Sequence, residues 1–133
     1  MDVASLEKGH CFPPVSFVLE EAAVSGYLQA VEDTVLPALR RSEGQDWAPP
    51  MAAAALALRG LIEAMGLPPG AIHASQEFEF RRPVDVGERL KSRAWLAHRS
   101  QRSGWLALAV ELEATDDAGQ VVLSGRAGVL IPQ

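Results

Sequence analysis

The chain has 133 residues, of which 48% are hydrophobic and 22% charged, enough for one domain with a substantial core. Its net charge of −5 argues against a nucleic-acid-binding protein, because such proteins carry clustered positive charge. The single cysteine, Cys11, excludes an internal disulfide and is typical of a reducing compartment, and residues 1–8 carry no signal-peptide pattern. We therefore expect one cytoplasmic domain over residues 1–133, with no membrane-spanning segment.

The N-terminal third of the sequence predicts an extended arm followed by a helix. Residues 8–19 contain two consecutive prolines, which exclude a central strand and leave an edge strand or an arm. Apolar residues recur at helical spacing over residues 20–31, and two acidic residues at the start of this segment suit a helix N-terminus. The next stretch, residues 33–46, is predicted as a short turn and a solvated loop.

Residues 48–66 predict a second helix that is apolar on almost every side. Prolines are favoured in a first helical turn, and Gly66 fits the position just after the last turn. A helix that is apolar all round is buried rather than laid on a surface. Its two charged residues, Arg59 and Glu63, are four apart and are expected to form a buried or half-buried ion pair.

From residue 72 onward the apolar residues recur with a period of two, which is typical of strands. Phe78 and Phe80 share one face of the first of these strands and are assigned to the core. Four strands are predicted, over residues 72–80, 89–99, 104–114 and 120–131. Together with the arm they predict an α+β fold, in which an antiparallel sheet of about five strands wraps around one long buried helix. That arrangement is the hot-dog fold.

Four segments of the sequence resemble a MaoC-like hot-dog domain. The most specific is the passage from Glu77 to Leu90, which is similar to the family's strand, Arg-Pro-Val and Gly-Glu sequence. The segments are Ala48-Pro49-Pro50-Met51, residues 67–73, residues 76–84 and Gly87-Glu88-Arg89-Leu90. With the order of arm, helix, loop, helix and strands, the resemblance covers nearly the whole chain.

The resemblance implies an activity on acyl thioesters of coenzyme A or of an acyl carrier protein. The best-known MaoC-like proteins are (R)-specific enoyl hydratases and dehydratases, which work as dimers of hot dogs or as two fused hot dogs. Their catalytic Asp and His lie in an Asp-x-Asn-Pro-x-His motif before the central helix. A backbone N–H at the start of that helix polarises the thioester carbonyl. No separate cofactor is implied, since coenzyme A or phosphopantetheine is part of the substrate.

This sequence departs from the family pattern in both catalytic elements. Asp33 matches the motif aspartate, but no His follows it, because the three histidines are His10, His73 and His98. Pro50 stands where catalytic members have the glycine whose N–H contacts the carbonyl, and proline has no N–H. An oxyanion donor is worth about 2.7–4 kcal/mol of barrier and an acid–base group about 10²–10⁴-fold in rate. The chain is therefore similar to the non-catalytic half of heteromeric or fused hydratases.

Three residues are candidates for a catalytic role. Asp33 matches the motif acid, His73 would be a base contributed from a new place, and Glu63 is a carboxylate on the central helix, such as some hot-dog thioesterases use. Each also has a structural interpretation: a solvated cap for Asp33, a strand-end residue for His73, and an ion-pair partner of Arg59 for Glu63.

Five further residues are candidates for substrate binding, and each has a position that suits one part of a thioester. The start of the central helix would face the thioester carbonyl, and two arginines after the first long strand would contact phosphates, for which Arg is well suited. These residues are Pro50, Met51, Ala52, Arg81 and Arg82. No group of His and Cys residues has metal-ligand spacing, so no metal is expected.

Three functions remain open from the sequence. The chain is a binding half that forms a heterodimer with a catalytic hot-dog subunit, or a stand-alone divergent hydratase or acyl-CoA thioesterase, or a non-catalytic homodimer that binds acyl thioesters as a scaffold. All three predict an acyl-CoA or acyl-carrier-protein ligand, and a dimer, because a sheet edge of this fold favours association.

Overall fold

In the computed structural model of the protein, the described residues are 2–32, 36 and 47–133. Within these residues, a short 3₁₀ turn at Val3–Ser5 is followed by two helices and seven strands whose bounds can be given. In chain order these are β1 (Val15–Val18), α1 (Glu21–Ala30), β2 (Trp47–Ala48), α2 (Pro50–Met65), β3 (Ile72–Phe80), β4 (Val84–Asp85), β5 (Arg89–Arg102), β6 (Trp105–Thr115) and β7 (Val121–Pro132).

Five strands form one antiparallel sheet in the order β1-β5-β6-β7-β3. Strands β5, β6 and β7 are consecutive and long, so they form the centre of the sheet as two hairpins. The predicted arm supplies β1 at one edge, and β3 forms the other edge. A separate two-stranded sheet joins β2 to β4 and holds the start of α2 beside the end of β3.

One face of the sheet packs against α2 and forms the core. Burial alternates strictly along β6, where the inward residues are Leu106, Leu108, Val110, Leu112 and Ala114. The inward face of α2 consists mainly of small residues, which let the helix lie close to the sheet. They are Ala53, Ala54 and Ala57, with Leu61 and Met65 nearer the C-terminal end. The mixed fold with a five-stranded antiparallel sheet is thus confirmed.

The expectation that α2 is buried on every side is wrong for the single chain. Met51 is 46% exposed, and Arg59 and Glu63 also lie on the solvent side. One sheet covers one side of a helix, so the apolar residues on the opposite side of α2 remain accessible. The helix ends as predicted at Gly66, which has a φ of +58° in the left-handed region that glycine tolerates best.

Candidate functional site

The start of α2 borders an apolar pocket with a volume of about 410 Å³. The pairing of β2 with β4 brings Trp47 beside the loop that follows β3, and α2 then begins directly from β2. We call this cavity the α2-start pocket; its wall is formed by Leu36, Trp47, Ala48, Pro50, Phe80, Arg81, Arg82 and Pro83. Most of this wall is hydrocarbon, with arginine side chains at its border, a composition typical of small-molecule sites.

Backbone donors are scarce at the start of α2. Pro49 and Pro50 have no N–H, and the N–H of Ala52 donates to the carbonyl of Pro49 at 3.0 Å. Met51 is therefore the first residue of the helix that offers an N–H toward the pocket end. Among the predicted substrate contacts, Pro50 lines the pocket, Met51 is exposed and Ala52 is buried.

The two predicted phosphate-binding arginines have different surroundings, although both border the pocket. The Arg82 guanidinium donates to both carboxylate oxygens of Glu88, and to Asp116 at 2.9 Å and the Pro83 carbonyl at 2.8 Å. These hydrogen bonds raise the pKa of Arg82 and lower the pKa of Glu88 and of Asp116. Arg81 makes no side-chain hydrogen bond or ion pair within the described ranges. Arg81 is thus the arginine whose charge is available to a ligand.

Glu63 lies far from the α2-start pocket. It is 13 residues beyond Pro50 on the same helix, which corresponds to about 20 Å along the axis. Its carboxylate accepts a hydrogen bond from Arg59 Nε at 3.2 Å, so the predicted pair is present. Both side chains are mostly exposed, 74% for Arg59 and 69% for Glu63, so the expectation of a buried or half-buried pair is wrong. The exposed side of α2 explains the difference.

His73 lies at the opposite end of β3 from the pocket. It is seven positions before Phe80, about 23 Å along an extended strand. Its Nε2 is 3.0 Å from the side-chain carbonyl of Gln76, whose amide donates to the Glu77 carbonyl at 3.1 Å. Within one chain, therefore, neither His73 nor Glu63 reaches the predicted binding residues. The third catalytic candidate, Asp33, lies outside the described residues.

Two aromatic residues that were not among the predicted site residues, Phe80 and Trp47, contribute to the pocket wall. Phe80 was expected in the core, but it is 38% exposed and forms part of the pocket wall. It is the last residue of an edge strand, where the sheet and helix no longer enclose it. Trp47 lines the same wall. Both residues lie beside proline-containing segments, a feature that the period of two along a strand does not reveal.

A larger depression, about 510 Å³, lies on the outer face of the sheet. Its lining carries four glutamates against two arginines, which makes it unsuited to an anionic group. The arginines are Arg81, which also borders the α2-start pocket, and Arg126, which is paired with Glu111. The described residues contain no cluster of three His, Cys, Asp or Glu side chains able to hold a metal ion. In the same residues, no helix is both long and apolar enough to span a bilayer. The α2-start pocket is therefore the stronger candidate site.

Comparisons with known proteins identify the family. The family model for the FAS1-like dehydratase domain region matches residues 7–124, most of the chain. Comparison with curated proteins finds no matching sequence.

Several solved structures are similar throughout. The (R)-hydratase from A. caviae has a TM-score of 0.80 at 21% identity, covering 96% of this chain and 98% of that one. The MaoC-like dehydratase from Rhodospirillum rubrum has a TM-score of 0.79 at 21% identity, covering 100% and 97%. The HadBC complex from Mycobacterium tuberculosis, a 3R-hydroxyacyl-ACP dehydratase, has a TM-score of 0.74 at 21% identity, covering 92% and 96%. The chain therefore belongs to the FAS1-like dehydratase domain family, with the hot-dog fold of MaoC-like hydratases.

Proposed function

We propose that this chain is an acyl-thioester-binding subunit of a hot-dog hydratase or dehydratase, and that a partner hot-dog chain supplies the acid–base groups. The observation that carries the proposal is the composition of the α2-start pocket. Among the described residues, its wall offers apolar surface and two arginines, and none of the described His, Asp or Glu side chains lines it. An arginine stays protonated at neutral pH and so is not a general base. The pocket is built to hold an acyl chain rather than to transfer its protons.

The sequence before α2 supports the same proposal. Residues 33–46 include Asp33 at the place of the motif aspartate but contain no histidine. A general base near neutral pH is most often a histidine, and its absence removes about 10²–10⁴ in rate. The two prolines at the start of α2 leave Met51 as the first N–H donor, so the carbonyl contact of catalytic relatives is also weakened.

The charge distribution around the pocket suits a thioester carried on a phosphate-bearing group. Arg81 borders the pocket and has no acidic side chain paired with it among the described residues. Coenzyme A and the phosphopantetheine of an acyl carrier protein both carry phosphate, which arginine binds through paired hydrogen bonds. We therefore assign the acyl chain to the Trp47 and Phe80 wall and a phosphate to Arg81.

Exposed surface on α2 and β3 supports a dimer. The solvent side of α2 includes Met51. The edge of β3 that pairs with no other described strand includes Ile72 and Phe80, which are 47% and 38% exposed. Large exposed apolar residues next to an unpaired edge are typical of an interface. One similar structure, HadBC, is a complex of hot-dog chains, which supports a heterodimer with a catalytic subunit as the working form.

Ligand binding by the isolated chain tests the proposal. Butyryl-CoA at about 100 times its Kd is expected to raise Tm by several degrees, because it binds only the folded state. Free coenzyme A should raise Tm less, since it leaves the apolar wall empty. Phe80→Ala should weaken butyryl-CoA binding about fivefold to tenfold through lost apolar contact. Trp105→Ala, at an equally exposed aromatic residue outside the pocket wall, is the matched control.

Two results would contradict the proposal. The first is the absence of any Tm shift with butyryl-CoA or longer acyl-CoA. The second is an equal loss of affinity in Phe80→Ala and Trp105→Ala, which would place the ligand outside the α2-start pocket.

A further inference from the structure

Rings form a large part of the wall of the α2-start pocket. Of the eight described residues that line it, two are aromatic, Trp47 and Phe80, and two are prolines, Pro50 and Pro83. A proline ring fixes its own backbone φ, and an aromatic side chain has only two rotatable bonds. Leu36 is the one flexible aliphatic side chain among the described lining residues. The wall therefore presents rigid, flat apolar surfaces rather than adaptable ones.

Two parts of this wall are held in place by contacts outside the pocket. Trp47 lies on β2, and the pairing of Trp47 with Asp85 on β4 fixes the backbone that carries the indole. Pro83 directly precedes β4, and its carbonyl accepts a hydrogen bond of 2.8 Å from Arg82. Arg82 is in turn bonded to Asp116 at 2.9 Å. Because the wall is ordered before a ligand arrives, binding costs less free energy for ordering the protein.

Trp47 and Phe80 border the same open space without a ring contact between them. The ring contact that Phe80 makes is with Phe78, at a centroid distance of 6.0 Å, and Phe80 is still 38% exposed. Trp47 makes no ring contact with any of the described residues. Aromatic rings attract one another both when stacked and edge to face. A further ring placed in the pocket therefore gains aromatic contacts with Trp47 and with Phe80.

The volume of the pocket suits a ligand that contains such a ring. The open space amounts to about 410 Å³. An apolar cavity of about 150 Å³ is already large enough to enclose a benzene molecule. A phenyl group therefore fills only part of the α2-start pocket, and the remainder accommodates a thioester carbonyl or a short chain between the carbonyl and the ring.

We propose that the α2-start pocket selects aryl-acyl thioesters, in which a phenyl ring is joined to the thioester carbonyl directly or through a short chain, and that Trp47 and Phe80 determine this preference. The preference rests on the function proposed above, because the same pocket takes the acyl group. An aryl group is rigid and loses little internal freedom on binding. A flexible alkyl chain, by contrast, gives up the rotation of each bond that the wall orders.

Aromatic contacts distinguish an aryl group from a saturated ring with the same number of carbon atoms. Buried apolar area alone favours the saturated ring, because a cyclohexyl group carries more hydrogen atoms and has a larger surface than a phenyl group. The rings of Trp47 and Phe80 reverse this order, since aromatic pairs attract each other beyond the effect of buried area. The relative affinity of two such ligands therefore separates a ring-specific pocket from one that is merely apolar.

Benzoyl-CoA and cyclohexanecarbonyl-CoA are matched ligands for this test, and titration calorimetry with the full wild-type chain measures both affinities. The two thioesters share coenzyme A, so the difference between their Kd values reports the acyl group. Benzoyl-CoA should bind about threefold to tenfold more tightly. A difference of less than about twofold, or tighter binding of cyclohexanecarbonyl-CoA, would overturn the proposed preference. This comparison needs no variant that could fail to fold.

Substitutions at Trp47 test whether this residue sets the preference. Trp47→Leu should weaken benzoyl-CoA binding about threefold to tenfold and cyclohexanecarbonyl-CoA binding less than about twofold, which removes the preference. Trp47→Phe restores an aromatic ring and should keep the preference. Trp105→Leu, at a tryptophan outside the pocket wall, is the control and should leave both affinities unchanged. Equal losses for both ligands in Trp47→Leu, or a lost preference in Trp105→Leu, would contradict the assignment to Trp47.

Butyryl-CoA, measured alongside the two ring ligands, separates the aryl preference from the proposed function. If butyryl-CoA binds and the two ring ligands bind equally well, the pocket takes acyl thioesters without selecting aryl groups, so the function stands and the preference is rejected. If none of the three thioesters binds, the proposed function itself is rejected, and the preference with it.

Discussion

Two adjacent arginines lie at the border between two contrasting regions of this molecule. Arg82 belongs to a charged cluster with Glu88 and Asp116, in which every guanidinium contact is made within the chain. Arg81 borders the α2-start pocket, where apolar side chains surround open space. The charges of the Arg82 cluster are paired with one another, whereas Arg81 has no side-chain partner among the described residues. The cluster joins three loops and fixes the shape of the pocket, while the pocket itself remains available to a ligand.

The contrast shows why residue type alone does not identify a binding residue. Both arginines follow β3 directly and both were predicted to contact phosphate. A guanidinium that already donates to two carboxylates gains little from a further anion, and its charge is neutralised locally. An arginine without such partners keeps its charge for an external anion.

The largest expected effect is on stability and comes from Arg82. Arg82→Leu leaves the Glu88 carboxylate, 20% exposed, without its partner. We expect the free energy of unfolding to fall by about 1–3 kcal/mol, measured by urea denaturation. Arg81→Leu is the matched control and should change it by less than about 0.5 kcal/mol. Equal losses of unfolding free energy in Arg82→Leu and Arg81→Leu would contradict the claim that only Arg82 is held in a charged cluster.

The next largest effect is expected on ligand affinity and comes from Arg81. Arg81→Leu should weaken butyryl-CoA binding about threefold to tenfold, since a charge-assisted hydrogen bond to phosphate is lost. The loss should shrink as salt rises, because exposed charges are screened. Titration calorimetry at low and high ionic strength measures both. Unchanged affinity at low salt would exclude Arg81 as the phosphate contact.

The pH dependence of stability tests whether Arg82 is paired with Glu88 and Asp116. Hydrogen bonds from Arg82 hold the pKa values of Glu88 and Asp116 below their ordinary 4.5 and 3.8. In this range the unfolded chain binds more protons than the folded one, so stability is complete above the ordinary pKa values. It should fall as pH drops below about 4.5 toward the lowered values. Arg82→Leu should show a shallower fall between pH 5 and pH 3, and an identical slope would contradict the cluster.

The smallest effect is expected at the exposed pair on α2. Glu63→Ala removes one solvent-exposed i,i+4 ion pair and should cost about 0.3–0.5 kcal/mol in the free energy of unfolding. Butyryl-CoA affinity should not change, because Glu63 is about 20 Å along the helix from the pocket. A clear loss of binding would restore Glu63 as a site residue.

Much of the fold follows from local patterns in the sequence. The period of two over residues 72–80 coincides with β3, and the predicted helix over 48–66 contains α2 and its glycine end. These elements were predictable because alternation and capping depend on neighbours along the chain. The exposure of Met51 was not predictable in this way, because it depends on how many sides of α2 the sheet covers.

The candidate site was harder to predict, because its features arise from contacts between distant segments. The Arg82–Asp116 bond joins residues 34 apart in sequence, so the sequence shows two charges but not their pairing. The register shift between His73 and Ser75 in the pairing of β3 with β7 is likewise not visible in any residue pattern. The absence of a motif histidine, by contrast, is visible directly in the sequence and supports the proposed function.

The central claim is that the isolated chain binds acyl thioesters but does not hydrate them. Crotonyl-CoA hydration by the purified chain, followed by loss of the enoyl absorbance and compared with the buffer rate, tests it most directly. The account predicts no hydration above the buffer rate at a crotonyl-CoA concentration that raises Tm. Turnover at about 1 s⁻¹ or faster, within the usual range of enzymes, would contradict it and show that this chain carries its own acid–base groups.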